Sequence, residues 1–338
     1  MYMMKMDKNK HLENIYIFIF IILIFIIISI NKNLIKWIIL EMFSLIMISY
    51  LNINNTNKKN SLMYYVISSI LSLILLFIII HNNFIMNNKM STIISLLIQM
   101  IFYMKLGLFP FHQWMIYMYN SMSWMNIFIF STLNKFINIY LMISLTNMNE
   151  FFMIMFLLNS LFSSLMSMNE FSIKKIICYS SMNHSSYMII LGYIDMSMLL
   201  IYFIIYLFNC YMFMTFYKIH MIENKIDLLM KSNNNSFKIP FLIISITYSM
   251  IPLTTMFYLK WLLFKMIILN NNIMIYIFIL SISMIMMMWT YMNIMNYQFM
   301  KNKYELKMNI LDKNYYNKNY FFMYISLLFN IFMFLLIY

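Results

Sequence analysis

Apolar residues do not recur along this chain at a helical or strand period. They come in unbroken blocks, such as 15–30 and 62–80. A block of about 20 residues at 1.5 Å rise per residue matches a hydrocarbon core about 30 Å thick. Strands of a membrane barrel run about 10 residues and alternate, so blocks of this length exclude that architecture. The pattern predicts an all-α, polytopic membrane protein with about eleven transmembrane helices. Their cores are 15–30, 34–51, 62–81, 91–119, 122–145, 151–168, 172–193, 197–219, 238–269, 273–295 and 320–338. The fourth and ninth are too long for a plain span, and each contains proline.

Composition agrees: the 338 residues are 64% hydrophobic and 10% charged, where soluble domains carry about 25% charge. The chain has no Arg and no Ala, and only two Gly and three Pro beside 43 Met and 32 Phe. Such an alphabet fits an AT-rich organelle genome. It lowers the weight of any single Met, Phe or Lys and raises that of each retained Gly, Pro and Glu. Cys178 and Cys210 have no C-x-x-C spacing, so neither a zinc nor an iron–sulfur site is indicated. Two glycines cannot build a Walker or dinucleotide-binding loop.

Charge orients the spans. With the N-terminus inside, sixteen lysines fall in inside segments, and only Lys32, Lys36 and Lys89 fall outside. The positive-inside rule expects this asymmetry. The net charge of +13 is then explained without nucleic acid. For an organelle-encoded inner-membrane protein, inside means the matrix.

A few charges lie where hydrocarbon should be: Glu41, Lys105, Lys135, Lys260 and Lys265. An ionised group at the bilayer centre costs at least about 2.5–3.5 kcal/mol. Lys265 is within a turn of Asn270 and can snorkel. Glu41 and Lys135 lie too deep for that. A lysine withdrawn from water binds its proton less tightly, and a nearby carboxylate tightens it again. A Glu–Lys–Lys–Lys set therefore reads as a proton relay. His184 is a candidate shuttle; its alternative is a neutral ring bonded to a neighbouring helix. His112 carries the same two readings. Lys174, Lys175 and Glu170 read as loop anchors.

Pro110 and Pro252 lie inside the two overlong helices, near Lys105 and Lys260. Proline removes a backbone donor and clashes with the preceding turn, so both helices should open. Against the second opening, Met250 and Met256 favour continuity. One discontinuous helix in each half points to inverted repeats. The expected organisation is a matrix-side segment 1–14, five-helix repeats 15–145 and 146–295, a matrix-side loop 296–319 and a final helix 320–338.

Three segments carry a resemblance. Met-Lys-Leu-Gly-Leu-Phe-Pro-Phe-His-Gln-Trp at 104–114, Asn169 to His184 with its Tyr-Ser-Ser-Met-Asn-His end, and Ile251 to Trp261 with its Lys-Trp end resemble the signatures of the chain 2 family of NADH–ubiquinone oxidoreductases. These are the antiporter-like membrane subunits of mitochondrial complex I, related to Mrp-type antiporters. Order and spacing agree over roughly 30–295. The chain departs from the family at Met250 and Met256 (glycines there), Leu253 (proline), Lys174 (arginine) and Met63, near a missing lysine.

The resemblance implies a subunit coupling quinone reduction elsewhere in the complex to proton translocation across the mitochondrial inner membrane. Glu41 would be the membrane glutamate, Lys105 the lysine beside the first broken helix, Lys135 the central lysine and Lys260 the terminal one. NADH, FMN, iron–sulfur clusters and ubiquinone would be bound by other subunits, with no cofactor or metal in this chain. Its partners would be other membrane-arm subunits and inner-membrane lipids. Two other classes fit the same charges: a stand-alone Mrp-like cation/proton antiporter, and a structural membrane subunit whose charges only hold neighbours.

Overall fold

A computed structural model describes residues 2–54, 58–84, 88–231, 235–249, 251, 254–269, 274–299 and 313–337. The fold is all-helical, and among the described residues the only strand-like pairing is an isolated bridge between Ser172 and Asn224. Six of the described helices are long and apolar enough to cross a membrane. The chain divides into two compact units, Met1–Met155 and Phe156–Tyr338.

The first unit contains α1 (Tyr2–Ser29), α2 (Asn33–Asn54), α3 (Lys58–Phe84), α4 (Asn88–Lys105), α5 (Gln113–Ser121), α6 (Trp124–Ile129) and α7 (Lys135–Leu145). Between α6 and α7 runs a π-helical turn, Phe130–Asn134. The following helix α8 (Glu150–Asn169) carries the boundary between the units. Helix α1 begins at Tyr2, so the expected N-terminal segment is an extension of the first helix; no Gly or Pro interrupts it. One face of α3 presents Leu62, Val66, Ile70 and Phe77 outward, as a lipid-facing surface should. Helix α7 packs on α2 and α4, and the α6–α7 stretch is buried almost throughout.

The predicted fourth span is two helices. Helix α4 ends in a Schellman motif: Gly107 N–H donates to the Met104 carbonyl (3.0 Å) and Leu108 N–H to that of Tyr103 (3.3 Å). Gly107 has φ +59°, the left-handed geometry this motif needs. Pro110 follows, and α5 resumes at Gln113.

The second unit contains α9 (Ile173–Ile194), α10 (Met196–His220), α11 (Lys225–Lys231), α12 (Asn235–Tyr248), α13 (Thr255–Leu269), α14 (Met274–Phe299) and α15 (Lys313–Ile337). The predicted ninth span is also divided, between Tyr248 and Thr255. Thr254 starts α13 by accepting from Phe257 N–H at 3.4 Å, an N-cap role, so the continuity expected from Met256 is not found. Met250, Pro252 and Leu253 lie outside the described residues. So do residues 300–312 of the expected 296–319 loop, whose ends belong to α14 and α15.

A clasp closes one end of this unit. Lys174 pairs with Glu223 at 2.7 Å and Lys175 with Glu170 at 3.2 Å. Asp227 accepts from the backbone N–H groups of Glu223 and Asn224, both at 2.8 Å. These contacts bear out the anchoring role read for Lys174, Lys175 and Glu170.

Candidate functional site

In the first unit, α2 supplies Glu41, the end of α4 supplies Lys105, and the start of α7 supplies Lys135. Glu41 is half-buried, Lys105 is 7% exposed and Lys135 is 1% exposed. Lys105 lines a cavity of about 20 Å³ together with Ser44, Tyr64, Ser68, Trp114, Asn134 and Asn138. That volume admits about one water. Glu41 stands one residue from Leu40, which also lines the cavity. Its Oε2 accepts from Ser44 Oγ at 3.3 Å, so Ser44 links the carboxylate to the cavity. No ion pair within 4 Å joins Glu41 to Lys105. Ser44 is thus the described link between the carboxylate and the cavity that Lys105 lines.

Lys135 is placed by a feature the sequence reading missed. Side chains hydrogen-bond in and around the π turn before it. Ser131 Oγ and Thr132 Oγ1 both donate to the Phe128 carbonyl, at 3.0 and 2.7 Å. Asn138 Nδ2 donates to the Asn134 carbonyl at 2.8 Å, and Tyr64 OH donates to Asn134 Oδ1 at 3.0 Å. π-Bulges occur often at functional sites. Its signal in the sequence is this run of small hydroxyl and amide side chains inside an apolar span.

The opened backbone after α4 is likewise satisfied from within, as hydrocarbon demands. Tyr103 OH donates to the Phe109 carbonyl and lies 3.1 Å from that of Met155. His112 Nδ1 stands 3.1 Å from the Pro110 carbonyl, a local contact within the break.

In the second unit, Lys260 of α13 is 0% exposed. No hydrogen-bond acceptor among the described residues reaches its Nζ, which lies 3.5 Å from the centroid of the Tyr187 ring. His184, one turn earlier on α9, is also fully buried, and its Nδ1 is 2.7 Å from Tyr202 OH. The rings of Tyr206 and Tyr248 flank it at 4.6 and 6.0 Å. Ser180 Oγ meets Tyr248 OH at 3.3 Å. Across α8 and α9, Asn159 Nδ2 donates to Ser186 Oγ (2.7 Å) and Asn183 Nδ2 to the Ser160 carbonyl (3.2 Å). Lys265 is exposed on α13, and Lys36, near the start of α2, is buried and 5.9 Å from the Tyr140 ring. Among the described residues, no three His, Cys, Asp or Glu side chains gather as a metal site would require.

Comparison with known proteins places this arrangement. The profile of the NADH:quinone oxidoreductase/Mrp antiporter membrane family matches residues 65–287. NADH-ubiquinone oxidoreductase chain 2 of Apis mellifera ligustica is 34% identical over 302 residues, covering 89% of this chain and 90% of the relative. The chain belongs to the NADH-ubiquinone oxidoreductase chain 2 family. Its Anopheles gambiae member is 30% identical over 288 residues, covering 79% of this chain and 82% of its own. The fold is also that of a chain in respiratory complex I from Thermus thermophilus, with TM-score 0.74 at 14% identity over 90% of this chain and 75% of that one. A chain of the Mrp complex from a Dietzia species gives TM-score 0.61 at 14% identity, over 76% of this chain and 55% of that one. All three family signatures fall inside the matched region or at its helix break, and the two units each hold one broken helix with a buried lysine beside it.

Proposed function

We propose that this chain is an antiporter-like membrane subunit of a respiratory NADH:ubiquinone reductase, and that it moves protons while electron transfer proceeds elsewhere in the complex. Membership of the chain 2 family supports the setting. The observation that carries the mechanism is the placement of Lys105. It ends a broken helix, lines a cavity with room for about one water beside Ser44, the hydrogen-bond partner of Glu41, and makes no direct ion pair with Glu41. A direct ion pair would hold its proton fast. A carboxylate at one remove, bridged by Ser44 and a water-sized space, leaves the proton free to move when the spacing changes.

In this reading Glu41 sets the charge state of Lys105, Lys135 receives the proton, and Lys260 serves the terminal step, with His184 and Tyr202 as an added shuttle. Repeats 15–145 and 146–295, about eleven spans and a matrix-side N-terminus complete the reading, in a multi-pass protein of the mitochondrial inner membrane. The site needs no cofactor of its own; NADH, FMN, iron–sulfur clusters and ubiquinone belong to other subunits, and neighbouring membrane-arm subunits are its partners.

The test is Lys105→Met and Lys135→Met in membranes carrying the assembled complex. Assembly should persist while NADH-linked proton translocation falls at least about tenfold, a conservative threshold below the roughly 10²–10⁴-fold that a proton-transfer group contributes. Normal translocation by either variant would make that lysine structural. Proton exchange by the isolated chain, without the complex, would favour a stand-alone antiporter instead.

A further inference from the structure

Lys260 presents a physical problem that the proton-relay reading leaves open. Its Nζ is wholly withdrawn from solvent and has no hydrogen-bond acceptor among the described residues. An ammonium at membrane depth without a partner is strongly disfavoured, so without some stabilising group such a lysine would hold a proton only at high cost. One group does face it. The ring of Tyr187 lies with its centroid 3.5 Å from Nζ, well inside the distance of about 6 Å at which an aromatic face attracts a cation.

The ring is itself held in place. Tyr187 OH donates to the Leu280 carbonyl at 2.7 Å and lies 3.0 Å from Ser283 Oγ. Both partners belong to α14, while Tyr187 stands on α9 and Lys260 on α13. The phenol is thus tethered at its far end, and the flat of the ring is left to meet the lysine. Tyr187 is 0% exposed, so the ring face is withdrawn from bulk solvent.

We infer that Tyr187 is a positioning residue for Lys260, its ring face standing in for a counter-ion so that the buried amine can accept a proton and still release it. A desolvated cation over an aromatic face is held about thirtyfold more firmly than without the ring. A carboxylate at the same distance would hold it far more firmly and would stop the release. The role rests on the reading of Lys260 as a proton-pathway residue.

The experiment measures NADH-driven proton translocation per electron in membranes carrying the assembled complex, for Tyr187→Phe, Tyr187→Leu, Lys260→Met and the double variant. Tyr187→Phe keeps the ring and loses the tether. It should lose less than about threefold, whereas Tyr187→Leu should lose at least about tenfold. In the Lys260→Met background, Tyr187→Leu should add nothing, because the two residues act as one unit. If Tyr187→Leu does not assemble, Tyr187→Met tests the same loss with a side chain that fills gaps flexibly. Wild-type translocation by the Leu or Met variant overturns the inference, as does a Phe variant as impaired as the Leu one. An additive loss in the double variant also overturns it, since that is the mark of packing alone. Undiminished translocation by Lys260→Met would instead overturn the reading of Lys260 itself.

Discussion

Gly107 lies so close over Met115 that a Cβ at position 107 would stand 2.1 Å from Met115 Cγ, with Trp114 Cε2 at 3.2 Å. The same glycine holds φ +59°. Geometry and space therefore both exclude a side chain at the bend that puts Lys105 at a helix end. Gly107→Ala should cost more than about 2 kcal/mol, from left-handed backbone strain and from overpacking. The amount of assembled complex and its thermal midpoint read this directly. An Ala variant with unchanged midpoint would mean that the bend forms differently.

The bridge through Ser44 gives a second expectation. Glu41→Gln removes the carboxylate charge and keeps the shape. It should reduce proton translocation at least about tenfold while leaving assembly near normal. Ser44→Ala removes the 3.3 Å contact to Glu41 Oε2 and should give a smaller loss in the same direction. Equal amounts of complex with undiminished pumping in Glu41→Gln would remove Glu41 from the pathway.

Asp195 caps α10, accepting from Ser197 N–H at 2.9 Å and from Ser197 Oγ at 2.7 Å. These hydrogen bonds, the side-chain one first, hold its carboxyl below the usual carboxylate range. A folded pKa below the unfolded one stabilises the cap above the unfolded pKa of about 3.9, and that stability is lost as pH falls through the folded value. Protection of the first α10 amides from hydrogen exchange should therefore fade only in acid. Asp195→Asn should keep the cap and abolish the acid dependence; Asp195→Ala should cost about 1 kcal/mol at neutral pH.

Helix α10 ends on Met221, which adopts φ 48°. Its N–H donates to the Lys218 carbonyl and that of Ile222 to the Tyr217 carbonyl, both at 3.3 Å. This is the motif that ends α4, built here with a methionine where glycine is usual. Met221→Gly should stabilise this end by about 1 kcal/mol, seen as slower exchange of the last α10 amides. Faster exchange would show that the Met221 side chain contributes more than its backbone costs.

The parts of this molecule that were legible in the sequence are those decided by single residues or by length. Long apolar blocks gave the all-helical membrane fold, Pro110 the first opening, and Glu41, Lys105, Lys135 and Lys260 stood out because charge is rare in hydrocarbon. Tyr187 was invisible for the opposite reason. Among 27 tyrosines no single one stands out, and its partner lies 73 positions away, on a helix whose position is set by packing. The inward turn of Lys36 toward Tyr140 was not legible either, because a lysine counted for membrane side says nothing of which way its helix face points. The π turn escaped because Ser131, Thr132, Asn134 and Asn138 read as scattered polar residues in an apolar span until the backbone shows that they surround one turn.

That turn has a consequence for reading this span in any relative. An α-helix advances about 100° per residue, and Phe130–Asn134 holds one residue more than an α-helical turn would. Lys135 and everything after it are therefore rotated by about 100° from where a helical wheel begun at Trp124 would draw them. Deleting one residue from 130–134 would leave a span of nearly the same length and apolarity, and still carry the lysine around the cylinder to a different neighbour. In this helix the azimuth of the charge is written in the count of residues before it, so an alignment gap of one position there is a change of address.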